Sequence, residues 1–201
     1  MEQQINRIKE KLARIQKQGW QKYKGNFGVE YHRFHVNPPI AEQDIARFET
    51  QHCIQLPADY RTFLLEVGNG GAGPYCGLYP LELWDRAAYE KPENLPPDYL
   101  SQPCPLHPGL SRESGWDAQL GCAWEELYQG TIAICNQGCS YYGLLIVSGA
   151  WRGRVCNVDA DGQAPHFVSD GDFLSWYERW LDETLSGKEI WWFGFDEAAK
   201  R

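Results

Sequence analysis

The stretch Phe48–Leu81, FETQHCIQLPADYRTFLLEVGNGGAGPYCGLYPL, decides how this chain folds. It predicts a helix, a Leu-Pro corner, a second helix, a glycine cluster and then a short hydrophobic strand. Pro57 suits a first helical position, because its ring fixes φ and its missing N–H would find no partner there anyway. Phe63, Leu64 and Val67 fall on one face at helical spacing, with Tyr60 one turn earlier. Gly68 stands where such a helix ends.

Gly68-Asn69-Gly70-Gly71-Ala72-Gly73 spells G-x-G-x-x-G. In a dinucleotide-binding fold that loop follows a strand and opens a helix, so that backbone N–H groups meet the pyrophosphate. Here it follows a helix and precedes Pro74-Tyr75-Cys76-Gly77-Leu78-Tyr79-Pro80, a poor helix start. The reversed context argues against a nucleotide site and for a helix terminus followed by a tight turn.

Working outward, Ile5, Ile8, Leu12 and Ile15 recur every three or four residues and predict an amphipathic helix over Glu2–Lys17. Its stripe would pack on the domain as an extra helix, with a short coiled-coil contact as the other option. Val29–Val36 alternates as a strand does, and Asn37-Pro38-Pro39 breaks it. Residues 41–53 predict a helix with Ile45 and Phe48 inward and acidic side chains at its N-terminal end. Six prolines between residues 90 and 112 mark an irregular excursion, flanked by Trp84, Trp116 and Trp124, which would pin it to the core or, as the other reading, serve as binding anchors. Thr131–Cys135, Tyr141–Val147 and Arg154–Asp159, separated by turns at Gly138 and Gly149–Gly153, predict an antiparallel meander. Asp161-Gly162 marks a further turn and Phe167-Val168 a brief edge segment. Asp170 or Asp172 would cap a final helix carrying Phe173, Leu174, Tyr177, Trp180 and Leu181, which Gly187 stops. The tail Ile190-Trp191-Trp192-Phe193-Gly194-Phe195 would fold back onto the domain or, if exposed, form a sticky patch.

Three blocks of this pattern resemble the SUKH superfamily, which includes fungal Smi/Knr-type cell-wall regulators and many bacterial immunity proteins. The first is Ile45, Phe48 and Glu49, then Leu56-Pro57 with Asp59-Tyr60, Phe63-Leu64, Asn69-Gly70-Gly71 and Gly77–Leu81. The second is Asn136–Tyr142 with Leu144–Val147, Gly149 and Gly153-Arg154-Val155. The third is the closing helix, from Asp172 to Leu181. Cys156 after Val155 and the long segment before Gly130 depart from the usual pattern. The resemblance implies an α+β fold: an antiparallel-rich sheet flanked by helices, with the N-terminal helix as an addition. It implies an N-terminal helix and connecting strand over 1–36, a SUKH domain over 37–187 containing the proline-rich insertion, and an aromatic tail over 188–201. The motif residues Phe48, Glu49, Leu56, Pro57, Tyr60, Asn69, Gly70, Gly71, Gly138, Tyr142, Gly149 and Gly153 are expected to be mainly architectural.

Composition bounds the function. The chain has 201 residues, 43% hydrophobic and 14% aromatic, enough for a folded core. No apolar run reaches the roughly 18 residues of a membrane span, and no secretory h-region opens the chain, so a cytoplasmic location is expected. Seven cysteines, an odd number without framework spacing, read as reduced thiols. Cys135 and Cys139 alone do not make a metal site, and both are expected to be small buried hydrophobes. Basic residues outnumber acidic ones 8 to 3 up to Val36, while the remainder carries 11 against 24. The acidic body disfavours nucleic acid and suits a basic protein partner.

Nucleophile-elbow, zinc-protease, P-loop and C-x-x-C motifs are all absent, and the histidines are scattered. His32 and His35 would lie on opposite faces of a strand. No catalytic, cofactor-binding or metal-binding residue is therefore assigned, and no cofactor is expected. The resemblance implies a non-enzymatic binding protein: an immunity protein neutralising a polymorphic toxin domain, with a basic nuclease among the candidates. The alternative is a regulatory or scaffold module of the Smi/Knr cell-wall-signalling type, and a third reading is an enzyme whose site is assembled from residues distant in sequence. On chemistry alone the partner-binding candidates are the acidic turn residues Asp159, Asp161 and Asp170 and the aromatics Tyr141 and Trp151. The oligomeric state is left open.

Overall fold

The computed structural model describes residues 1–88, 94–110, 115, 117–159 and 164–195. Much of the proline-rich stretch lies inside these bounds; Trp116 and the Asp161-Gly162 turn lie outside them.

Among the described residues, five α-helices and one sheet make an α+β fold: α1 (Glu2–Gln18), α2 (Val29–His32), α3 (Glu42–Gln51), α4 (Ala58–Glu66) and α5 (Phe173–Leu185), with β1 (Thr131–Asn136), β2 (Tyr141–Ile146), β3 (Val155–Asp159) and β4 (His166–Phe167). The strands form an antiparallel meander in the order β1-β2-β3-β4. The glycine-bearing turns expected between them are present, with Gly138, Gly149 and Gly153 all at positive φ.

Period-two alternation divides the sheet's side chains between two cores. Ile132, Ile134, Leu145 and Val155 face the helices, packing with Phe63, Phe173 and Tyr177. Ala133, Leu144, Cys156 and Val158 face the other way. A register shift between Ala133 and Cys135 returns Cys135 to the helix-side core. The second face is covered by Leu106, Leu110, Leu127 and Tyr128. The irregular segment is thus a lid over apolar sheet surface that would otherwise meet water. Trp84 packs against the helix-side core as a pinning residue would, whereas Trp124 is exposed.

The stripe on α1 is fully used: Ile5, Ile8, Leu12 and Ile15 are buried, and α1 lies against α5. Charge follows the packing. Arg7 and Lys11 both reach Glu178 of α5, and Lys11 also meets Asp182 at 2.6 Å. Part of the basic excess of the first segment is therefore neutralised inside the molecule. Asp172 caps α5 by accepting the Ser175 N–H at 2.7 Å, and Gly187 follows its end at φ 79°.

Several sequence expectations are corrected. Val29–Val36 does not form a strand; it folds as α2 followed by Arg33 and Phe34 in the left-handed region. The cause is His32, whose Nδ1 accepts the Phe34 N–H at 2.9 Å, closing the backbone into a turn that alternation cannot signal. Consequently His32 is buried and His35 exposed, separated by the turn rather than by strand alternation. Pro57 sits one residue earlier than expected, as the N-cap of α4. No strand follows the glycine cluster; Leu78 makes isolated bridges to Gly71 and Cys135, and Gly71 in turn bridges Val36. These bridges extend the sheet past β1, through the G-x-G-x-x-G segment. The loop is sheet edge, and a Cβ on Gly71 would lie 2.5 Å from the His35 carbonyl oxygen.

Candidate functional site

Two of the motif residues, Glu49 and Asn69, make hydrogen bonds within the α3–α4–glycine-loop unit. Glu49 Oε1 accepts the Leu56 N–H at 2.8 Å. Asn69 Oδ1 accepts the Leu81 N–H at 2.8 Å, and its Nδ2 donates to Glu82 at 3.0 Å. Phe48 contributes to a shallow cleft with Ile40, Asp44, Arg47, Gln51, Leu81 and Glu82, where charges of both signs alternate.

The distinctive surface lies elsewhere. Phe27, Tyr75, Tyr141, Trp191 and Trp192, with Gln137, Gly138 and Cys139, line an open cleft of about 270 Å³. Three separate segments build it. Phe27 precedes the left-handed Gly28, and its amide N–H donates to the Ile190 carbonyl, tying the connector to the tail. Gly138 and Cys139 form the β1–β2 turn, both at positive φ. Trp191 and Trp192 stand between Ile190 and Phe193, both buried, so the tail is anchored on either side of them. Tyr75 donates its hydroxyl to the Phe193 carbonyl at 2.6 Å, a second tie. The tail does fold back, yet its tryptophans point outward: Trp191 is 55%, Trp192 66% and Phe27 39% exposed. Large aromatics held rigid and open to solvent cost little further entropy when a partner covers them.

Cys139, expected to be buried, is exposed at the cleft, because the turn's left-handed geometry swings it away from the core that takes Cys135. Among the lining residues there is no carboxylate, imidazole or amine, so the wall offers contact surface rather than acid–base groups. Beneath it, Gln137 Nε2 donates to Asn157 Oδ1 at 2.6 Å. Among the described residues no group of three His, Cys, Asp or Glu converges as metal ligands would. No described helix is long and apolar enough to cross a membrane.

The structure scatters the partner-binding candidates. Tyr141 lines the cleft and stands opposite Asp159 in the β2–β3 register. Asp159 is only 5% exposed and accepts a short hydrogen bond from the Ser140 hydroxyl. Trp151 is exposed at the far hairpin, its ring edge-on to Phe167 at 6.2 Å. Asp170 is gripped by the Arg179 guanidinium, with Nη2 at 2.7 Å and Nε at 2.9 Å. Asp161 lies outside the described residues. Phe27 went unread as a site residue, since one phenylalanine in a connector carries no signal. The Trp191-Trp192 pair did carry one, through its aromatic density.

The conspicuous surface of this mixed α+β domain is the aromatic cleft. The family model described as SMI1 / KNR4 family (SUKH-1) matches residues 39–179, and the chain belongs to that family. The match stops short of both Phe27 and the Trp191-Trp192 pair, so three of the cleft's eight lining residues lie outside the matched span. Comparison with curated proteins and with solved structures finds no match.

Proposed function

We propose that this chain is a non-enzymatic, cytoplasmic immunity protein that neutralises a toxin domain by direct binding, with the aromatic cleft as its docking face. The observation that carries the reading is the cleft itself: Trp191, Trp192 and Phe27 exposed on anchored backbone, beside Tyr141. Inhibition by contact needs no chemistry, only a surface that covers or distorts the toxin's working groove. The formal charge of −8 would steer a basic partner, such as a nuclease domain, toward the protein and speed association. Membership of the SMI1 / KNR4 family also supports the regulatory or scaffold module as a second reading. The two differ in partner number: one tight partner for an immunity protein, several weak ones for a module.

The test is co-expression with a toxin domain encoded beside the gene, where the locus holds one, following growth, then calorimetry of the purified pair at two salt concentrations; a locus without a toxin favours the module. Rescue with tight binding that weakens in salt is the expected result. Absence of both rescue and heat removes that toxin as the partner, and recovery of several weak partners instead favours the module.

A further inference from the structure

We propose that the aromatic cleft is a receptor for one arginine side chain presented by a basic protein partner. The inference rests on the docking reading above and names the guest.

The first argument is size. At about 270 Å³ the cleft falls below the roughly 300–1,000 Å³ of small-molecule pockets and suits a single long side chain. The second is the wall, which is made of five aromatic rings and has no basic residue. Ring faces attract cations, and a planar, weakly hydrated guanidinium stacks on indole better than an ammonium does.

The third argument is the charge around the cleft. A Cβ on Gly25 would lie 2.7 Å from Glu189 Oε1, so that carboxylate sits over the connector leading to Phe27. Asp159 reaches the cleft's turn through Ser140. Against these two carboxylates, Lys188 is paired with Glu183 at 3.6 Å, and the connector carries two exposed bases, Lys22, which donates to Gln18 at 2.6 Å, and Lys24.

The fourth is an acceptor. Gln137 is among the lining residues and is 7% exposed; its Nε2 is committed to Asn157, while its Oε1, a buried atom, has no partner among the described residues. A guanidinium brings five N–H donors to such an acceptor. A leucine or proline guest would fill the volume but leave both the acceptor and the surrounding carboxylates unanswered.

The experiment follows the indole N–H signals of Trp191 and Trp192 by NMR in the full chain, assigned through Trp191→Phe and Trp192→Phe. Four probes are titrated: acetyl-Gly-Arg-Gly-amide and its citrulline, lysine and leucine counterparts. The expected result is saturable movement of both signals with the arginine peptide, about threefold to fivefold tighter than citrulline and weakened by salt. Equal binding of the citrulline or leucine peptide overturns the proposal, as does no movement with any probe. Trp192→Ala, tested for binding of the neighbouring toxin domain, separates the two readings. Loss of toxin binding without arginine binding leaves the docking face standing and removes its guest; unchanged toxin binding removes both.

Discussion

Glu49 Oε1 holds the Leu56 N–H at 2.8 Å, bridging the corner at which α3 hands over to α4. The same carboxylate meets Arg61 Nε at 3.4 Å, and Arg61 also pairs with Glu42 at the start of α3. One side chain thus satisfies a backbone donor that the Leu-Pro corner leaves open and anchors the cation joining both helices. Glu49→Ala leaves the Leu56 N–H without its acceptor and is expected to destabilise by about 1–3 kcal/mol. Glu49→Gln, which keeps a carbonyl oxygen, is expected to lose less. Urea unfolding of the two variants measures the difference, and equal losses would locate the effect in charge rather than in the backbone bond.

His32 gives the fold an acid-sensitive point. Its Nδ1 accepts from Phe34, and it packs edge-on against Trp180 at 5.2–5.9 Å from the neighbouring rings of Phe34 and Trp180. Burial lowers its pKa from 6.5 to about 4, outweighing hydrogen bonds to the Gly73 and Tyr75 backbone. Because the unfolded chain takes up the proton first, stability is complete above pH 6.5 and declines as pH falls toward 4. Thermal unfolding across that window is expected to show the decline. His32→Gln should flatten it while lowering stability throughout, because a buried aromatic contact is lost.

A second acid transition belongs to the α1–α5 contact. Hydrogen bonding by Arg7, reinforced by Lys11 and opposed by partial burial, lowers Glu178 from 4.5 to about 2. A carboxylate held below its unfolded value contributes stability above pH 4.5 that is lost as pH falls toward 2. Glu178→Gln is expected to cost about 1.5–3 kcal/mol at neutral pH and to remove this lower transition while leaving that of His32. Denaturation measured from pH 7 to 2 distinguishes the two groups by where each slope lies.

Gly71 and Gly153 show that motif glycines serve different ends. Both have positive φ, near 90°. A Cβ on Gly71 would press on the His35 carbonyl at 2.5 Å and on the Asn37 nitrogen at 3.0 Å, whereas one on Gly153 would meet nothing within 4 Å. Gly153→Ala is therefore expected to cost only the left-handed strain of about 1–2 kcal/mol. Gly71→Ala adds displacement of backbone at the sheet edge and is expected to exceed that clearly, by the same urea measurement.

Legibility followed the range of the interactions. α1, the meander and α5 were readable because periodicity and turn glycines act within a few residues, and the stripe Ile5–Ile15 emerged wholly buried. Val29–Val36 misled because its fold depends on a ring nitrogen capturing a backbone N–H two residues on, which outcompetes strand pairing. Cys139 misled because its place is set by a left-handed turn rather than by alternation. The cleft was readable only in part. Tyr141 and the tail tryptophans stood out as aromatic, yet what joins the tail to Phe27 and Tyr75 is hydrogen bonding between segments over a hundred residues apart, one bond from a backbone N–H and one from a tyrosine hydroxyl. Such contacts leave no local trace in the chain.

The tail offers the most direct separation of binding from folding, because adjacent aromatics there do opposite work. Phe193 is buried under the Arg179 guanidinium, which stands 4.2 Å from its ring, and it packs against Trp176. Trp191 and Trp192 are mostly solvent-facing. Phe193→Ala is therefore expected to destabilise by about 3–5 kcal/mol, as large-to-small changes in a core do. Trp192→Ala is expected to stay within about 0.5 kcal/mol of the parent in unfolding, as exposed substitutions do. If the cleft is the docking face, the same Trp192→Ala should weaken partner binding by about 2 kcal/mol or more, the scale of an interface anchor. Calorimetry and urea unfolding on the one variant decide the matter. A binding loss at constant stability assigns the tryptophan to the partner, while a parallel fall in stability would make it one more part of the tail's own packing.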